Sequence, residues 1–202
     1  MPDDTPDHQT EILSENPSAT NSRVAPIRSR SRGLIEWVVI IIAAVAVSFL
    51  MRAYVVQTFY IPSGSMEPTL QIGDRIVVSK LSVEWGTINR GDILVFKAPP
   101  SEHCGAPVTD LVKRVIGLPG DTLTSKGNTI YINGKALKET WTHYEPLTPA
   151  IGKVVVPANH YFMMGDNHPD SCDSRFWGSI PRSDVIGKAF IKIWPLSRFG
   201  FL

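Results

Sequence analysis

The sequence predicts a mainly β domain held to a membrane by one N-terminal helix, and three features of the chain carry that expectation. Eighteen residues at 34–51, LIEWVVIIIAAVAVSFLM, are almost wholly apolar. Beyond them the apolar runs are short, β-branched and broken by Gly, Pro, Asn and Asp. No stretch after residue 56 has the spacing of a long amphipathic helix, and no internal period suggests a repeat array. At roughly 150 residues per domain, a chain of 202 holds one medium domain and a tail.

Residues 1–33 are polar, with several prolines and almost no large apolar side chains. They bury too little surface to offset the chain entropy of folding and read as a disordered tail. Its acidic residues come first, and four arginines, Arg23, Arg28, Arg30 and Arg32, crowd its end. The run that follows has Glu36 as its only charge and is flanked by Arg32 and Arg52. As a helix it reaches about 27 Å, enough to cross a bilayer. A core helix should carry a polar stripe and a cleaved secretory signal a small-x-small site at its end; this run has neither. It therefore reads as an uncleaved single-pass anchor at 34–52 in the cytoplasmic membrane. The arginine bias places the tail in the cytoplasm and residues 53–202 on the extracytoplasmic side, where substrates are exported or membrane-bound.

In that ectodomain the expected strands are 75–79 (RIVVS), 92–96 (DILVF), 111–118 (LVKRVIGL), 129–132 (TIYI), 154–156 (VVV), 161–164 (YFMM) and 185–194 (VIGKAFIKIW). Asn133-Gly134 supplies the two positive-φ positions of a type I′ hairpin after 129–132. About 150 residues suffice for one core and a small appended lobe.

Several function classes are unsupported. A formal net charge of +1 argues against a nucleic-acid partner. Cys104 and Cys172 are far apart and outside any CxxC, and the histidines lack ligand spacing, so no metal is expected. The glycines form neither GxGxxG nor GxxxxGK, and no cofactor is expected.

What stands out is Ile61-Pro62-Ser63-Gly64-Ser65-Met66-Glu67-Pro68, shortly after the apolar run. A turn stiffened by prolines can present a hydroxyl and backbone N–H groups to one point, as a nucleophile with an oxyanion site requires. Ser-Gly-Ser is also ordinary loop composition. A nucleophile needs a base, and His103, His143, His160 and His168 lie in no motif that marks a triad, although spacing does not exclude one. Lys113 is the better candidate, set in the apolar run 111–118 on the same strand face as Leu111 and Val115. Desolvation there favours the neutral amine, a competent base. The competing reading has Lys113 snorkelling at a strand edge or pairing with Asp110. Residues 165–178, GDNHPDSCDSRFWG, form a loop dense in carboxylates and hydroxyls. It either binds a metal or knits itself together; irregular acid spacing favours the second, with Asp173 and Arg175 as ion-pair partners and Ser171 supplying a hydroxyl near the active groups.

An apolar N-terminal helix, then Pro62-Ser-Gly-Ser65-Met-Glu-Pro-Thr-Leu, Arg90-Gly-Asp-Ile-Leu-Val-Phe, Lys113-Arg-Val-Ile-Gly-Leu-Pro-Gly-Asp121 and Gly165-Asp-Asn…Asp-Ser…Asp173-Ser-Arg175-Phe-Trp-Gly, closely resemble bacterial type I signal peptidase. The blocks stand in that family's order and cover everything but the tail. The resemblance implies a mainly antiparallel β fold with a small inserted β lobe, around 124–152 here. It implies a serine endopeptidase with a Ser-Lys dyad that removes signal peptides from exported preproteins, working beside membrane lipid and the protein-export machinery. Carried over by motif position, Ser65 is the nucleophile and Lys113 the general base. Ser63 joins the oxyanion hole, Ser171 hydrogen-bonds the lysine and orients it, and Asp173 and Arg175 brace the site. Cleavage after a small residue of Ala-x-Ala type is implied, with Phe59, Ile61, Pro62, Met66, Ile76 and Val112 lining shallow pockets.

Two departures from the family pattern stand out. His168-Pro169 replaces the usual basic-acidic pair, and Cys172 next to Ser171 permits a disulfide with Cys104 or two free thiols. Two other readings stay open: a related Ser-Lys peptidase that processes one conjugation or pilus component, and an inert β module that binds exported chains.

Overall fold

The computed structural model describes residues 30–102, 104, 109–142 and 146–202. The tail read as disordered lies outside these as far as residue 29. Its last four residues, 30–33, are helical and open α1 (Arg30–Tyr54), which starts before the apolar run and ends after it. Arginine is a good helix former, and once a helix is nucleated each added residue costs little. Within α1, Gly33–Met51 is long and apolar enough to cross a membrane and is wholly exposed. The chain falls into two units, Met1–Ile42 and Ala43–Leu202.

After α1 come β1 (Val56–Tyr60), β2 (Arg75–Ser79), the one-turn α2 (Leu81–Glu84), β3 (Ile93–Lys97), β4 (Asp110–Gly117), β5 (Thr122–Lys126), β6 (Thr129–Ile132), β7 (Lys135–Ala136) and β8 (Val154–Val155). The chain continues through β9 (His160–Met164), the short α3 (Ser174–Trp177), β10 (Ile180–Pro181), β11 (Val185–Trp194) and β12 (Gly200–Phe201). Eight strands form one sheet in the order β1-β2-β11-β3-β4-β9-β10, with β12 added beside β11. Four form a second, β7-β6-β5-β8. All pairings are antiparallel. The fold is thus mainly β with antiparallel sheets and an apolar N-terminal helix. At the β6–β7 turn Asn133 and Gly134 both have positive φ, 53° and 79°.

Alternation along the strands sorts the apolar side chains into three buried clusters. Leu94, Phe96, Val115 and Met163 share one; Ile116, Phe162 and Met164 meet Leu123 and Ile130 of the small sheet in another. The third gathers Ile61, Met66 and Leu70 with Ile76, Val78, Ile93 and Val95. Full burial of side chains this size stabilises by about 1.5–3 kcal/mol each. Three of them, Ile61, Met66 and Leu70, lie in the segment that carries Ser63 and Ser65 and pin it to the sheet.

Candidate active site

Residues 61–74 fold back on themselves. The Ile61 N–H donates to Asp74 O and the Gly73 N–H to Ile61 O, both at 2.9 Å, and inside this loop the Glu67 N–H reaches Gly64 O at 3.0 Å. Ser65 sits on the tight turn so formed, only 8% exposed.

β4 crosses the sheet between β3 and β9, and Lys113 lies in its middle, paired in register with Leu94. Its Nζ is 2.5 Å from Ser65 Oγ. Lys113 is 3% exposed, and among the described residues no carboxylate, Asp110 included, forms an ion pair with it. Burial lowers its pKa from 10.5 to about 8; the field of Asp173 opposes the shift and that of Arg175 adds to it. A minority of the amine, on the order of a tenth to a fifth, is therefore neutral near physiological pH. Ser63 Oγ stands 3.4 Å from Ser65 Oγ.

The loop after β9 closes over the turn. The Asn167 N–H donates to Ser65 O at 3.1 Å, and Asn167 Nδ2 donates to Gly64 O at 3.2 Å. The approach is so close that a Cβ on Gly165 would lie 2.3 Å from both Ser65 O and Ser171 Oγ, so no larger residue fits there. Asp173 accepts the Gly165 N–H at 3.1 Å and meets Arg175 in a two-pronged pair, Nε to Oδ1 and Nη2 to Oδ2, both at 2.8 Å. Arg175 also donates to the carbonyls of His168, Ser171 and Thr148 and so ties the loop together. Cys104 and Cys172 are joined by a disulfide across Cα atoms 6.0 Å apart.

Two sequence expectations need correction. Ser171 does not hydrogen-bond Lys113: its Oγ is buried with no hydrogen-bond partner among the described residues, packed against the bare face of Gly165. Ile76 is not a pocket wall. A cleft of about 410 Å³ beside Ser65 is lined by Phe59, Ile61, Pro62, Met66 and Val112, whereas Ile76, fully buried, points from β2 into the core. At the departure from the family pattern, His168 is buried with Nε2 3.3 Å from Glu139 Oε1.

Sequence reasoning assigned no role to Asn167, Gly165 or the Arg114–Asp166–Thr69 cluster. Arg114 grips Asp166 with Nε on Oδ1 at 2.7 Å and Nη2 on Oδ2 at 2.6 Å, and Thr69 Oγ1 donates to Asp166 Oδ2 at 2.5 Å. This ties the segment after Ser65 to the loop after β9. A second cation beside Lys113 in an apolar run was the available signal, since a buried guanidinium requires a carboxylate.

Residues 34–194 match the family model described as signal peptidase, peptidase S26. A probable signal peptidase I-2 of Synechocystis is 39% identical over 80% of this chain and 73% of its own length. A signal peptidase I of Leptolyngbya laminosa is 36% identical over 94% of this chain and 95% of its own. A crystal structure of a signal peptidase I from Enterococcus faecalis, 33% identical, aligns with 50% of this chain and 96% of its own at a TM-score of 0.40. The chain belongs to the signal peptidase family, peptidase S26. It is accordingly a protease, and the work of that family is the removal of signal peptides.

Proposed function

We propose that the chain is a membrane-anchored serine endopeptidase that cuts exported preproteins after a small residue, with Ser65 as nucleophile and neutral Lys113 as general base. The observation that carries this reading is the buried contact of 2.5 Å between Lys113 Nζ and Ser65 Oγ, with no carboxylate paired to the amine among the described residues. Nζ takes the Ser65 proton as Oγ bonds to the scissile carbonyl carbon. The oxyanion is met by the Ser63 hydroxyl and the Ser65 N–H. The C–N bond then breaks, Nζ returns the proton to the departing amine, and water, deprotonated in its turn by Lys113, hydrolyses the ester. Asn167, Asp173 and Arg175 are positioning residues, as they act through the turn and the loop. Ser171 fills the space that Gly165 leaves open.

The acyl half of the substrate is read into the cleft beside Ser65. Residues 111–113 pair with β3 alone, because β9 joins β4 only from Arg114 onward, and an extended peptide can add to that free edge. Walls formed by Phe59, Ile61, Met66 and Val112 select small side chains mainly by excluding large ones, since one buried methyl gives only about 1 kcal/mol of positive preference. The anchor holds the site at the membrane, with the N-terminus cytoplasmic and the catalytic unit extracytoplasmic, beside the export machinery that delivers the substrates. The exposed Trp194, Phe199 and Phe201 suit contact with lipid.

The test is cleavage of a preprotein with an Ala-x-Ala site by the detergent-solubilised full chain, with the cut mapped by mass. Wild type is expected to cut after the second alanine, and folded Ser65→Ala and Lys113→Met to lose at least about a thousandfold in kcat/KM. An active Lys113→Met variant excludes the dyad. Failure of folded wild type to cut excludes the reaction.

A further inference from the structure

A second cleft, about 540 Å³, shares Pro62, Ser63, Ser65, Leu111 and Lys113 with the first but is otherwise walled differently. In place of Phe59, Ile61, Met66 and Val112 it has Asp170, Ser171, Glu102 and the Cys104–Cys172 bridge, with Pro169 and Phe176 beside them. Hydrolysis at one carbonyl divides a substrate into an acyl half and an amine half, and each must be held for attack to be in line. If the acyl half occupies the apolar cleft, the amine half lies along this second one.

The wall is polar and acidic. Pro169 and Asp170 belong to a one-turn helix, His168–Asp170, closed by the Asp170 N–H donating to Asn167 O at 3.1 Å. Because Asn167 also holds the carbonyls of Gly64 and Ser65, Asp170 is fixed relative to the nucleophile. Its Oδ2 lies 3.5 Å from where a Cβ on Gly64 would stand, between the two serines, and the residue is exposed. Ser171 in the same wall is 5% exposed with a hydroxyl that has no partner among the described residues. Among the described residues Lys113 is the only cation lining the cleft, and it must be neutral to act as base. With Lys113 neutral, no cation among the described lining residues faces the carboxylates of Asp170 and Glu102, and this wall of the cleft is negative.

We propose that this cleft seats the first two residues after the cut and that Asp170 is a specificity-determining residue there, admitting neutral or basic side chains and disfavouring acidic ones. The assignment rests on the cleavage reaction proposed above. Like-charge juxtaposition is a selection against wrong partners that needs no extra attraction for the right ones.

The experiment uses the full chain in detergent and substrates identical up to the cut, with Lys, Gln or Asp at the first or second position after it. At one or both positions kcat/KM for Asp is expected to be about threefold below that for Lys, a gap that shrinks with added salt. Asp170→Asn is expected to close most of it, whereas Glu84→Gln, an exposed side chain on α2 outside both clefts, leaves it intact. The ratio between substrates is the readout because a change in the lysine affects both alike. Equal rates for Lys and Asp at both positions in wild type overturn the assignment, as does a gap that survives Asp170→Asn. Should that variant not fold, a wild-type gap insensitive to salt overturns it instead. Absence of cleavage of every substrate by wild type overturns the reaction itself, a different result from uniform cleavage.

Discussion

Lys113 and Arg114 are adjacent on β4 and both are buried, 3% and 8% exposed, yet their surroundings treat them in opposite ways. Arg114 has a two-pronged carboxylate in Asp166, the Gly91 carbonyl at 2.7 Å and the Trp141 ring 4.8 Å from its guanidinium carbon. Lys113 has one serine hydroxyl. A strand alternates its faces, so one residue of separation suffices to put a satisfied cation and an unsatisfied one back to back. The guanidinium cannot shed its proton and must be paired; the amine can, and its poor solvation favours the neutral form that the proposed role requires.

Cutting into the paired side is expected to have the largest effect on stability. Arg114→Met leaves the wholly buried Asp166 without its counter-charge and is expected to cost about 3–5 kcal/mol, measured by denaturant unfolding. On the unpaired side the sign reverses. The folded pKa of Lys113, about 8, lies below its ordinary 10.5, so below pH 8 the folded state holds a poorly solvated charge that the unfolded chain holds in water. Lys113→Met is therefore expected to stabilise the inactive protein by about 1–3 kcal/mol at pH 7. The gain shrinks as pH rises through the interval between those two values. The smallest effect is on rate: wild-type kcat/KM should fall toward tenfold per unit as pH drops below about 8, because the neutral amine becomes scarce. A stable enzyme with a flat acidic limb would remove the distinction between the two cations.

Strands rich in β-branched residues were legible from local pattern, because RIVVS, DILVF and VIGKAFIKIW state their period without help from elsewhere. β1 and β5 were not. VQTFY and TLTSK are largely polar or exposed and become strands by pairing with β2 and with β6 and β8. β10 and β12, two residues each, exist only through their partners. At the site, Ser65 and Lys113 could be singled out because each is odd in its own neighbourhood, a hydroxyl on a stiff turn and a cation in an apolar run. Asn167 could not, since its work is done on Gly64, 103 residues away, and no local pattern records such a contact. Ser171 was given a hydrogen bond that the chain does not make, because motif position conveys proximity without the direction of a hydroxyl.

The bonds that hold the turn of Ser65 join residues far apart in the chain: Thr69 to Asp166, a separation of 97, and Lys192 Nζ to Thr69 O, a separation of 123. Such closures are slow and late, because loop entropy must be overcome before any contact rewards it. Synthesis runs from the N-terminus, so α1 and the serine emerge long before the residues that lock the serine in place. A nascent chain thus carries Ser65, the proposed nucleophile, for most of its elongation without a formed site, and the site is complete only with its final strands.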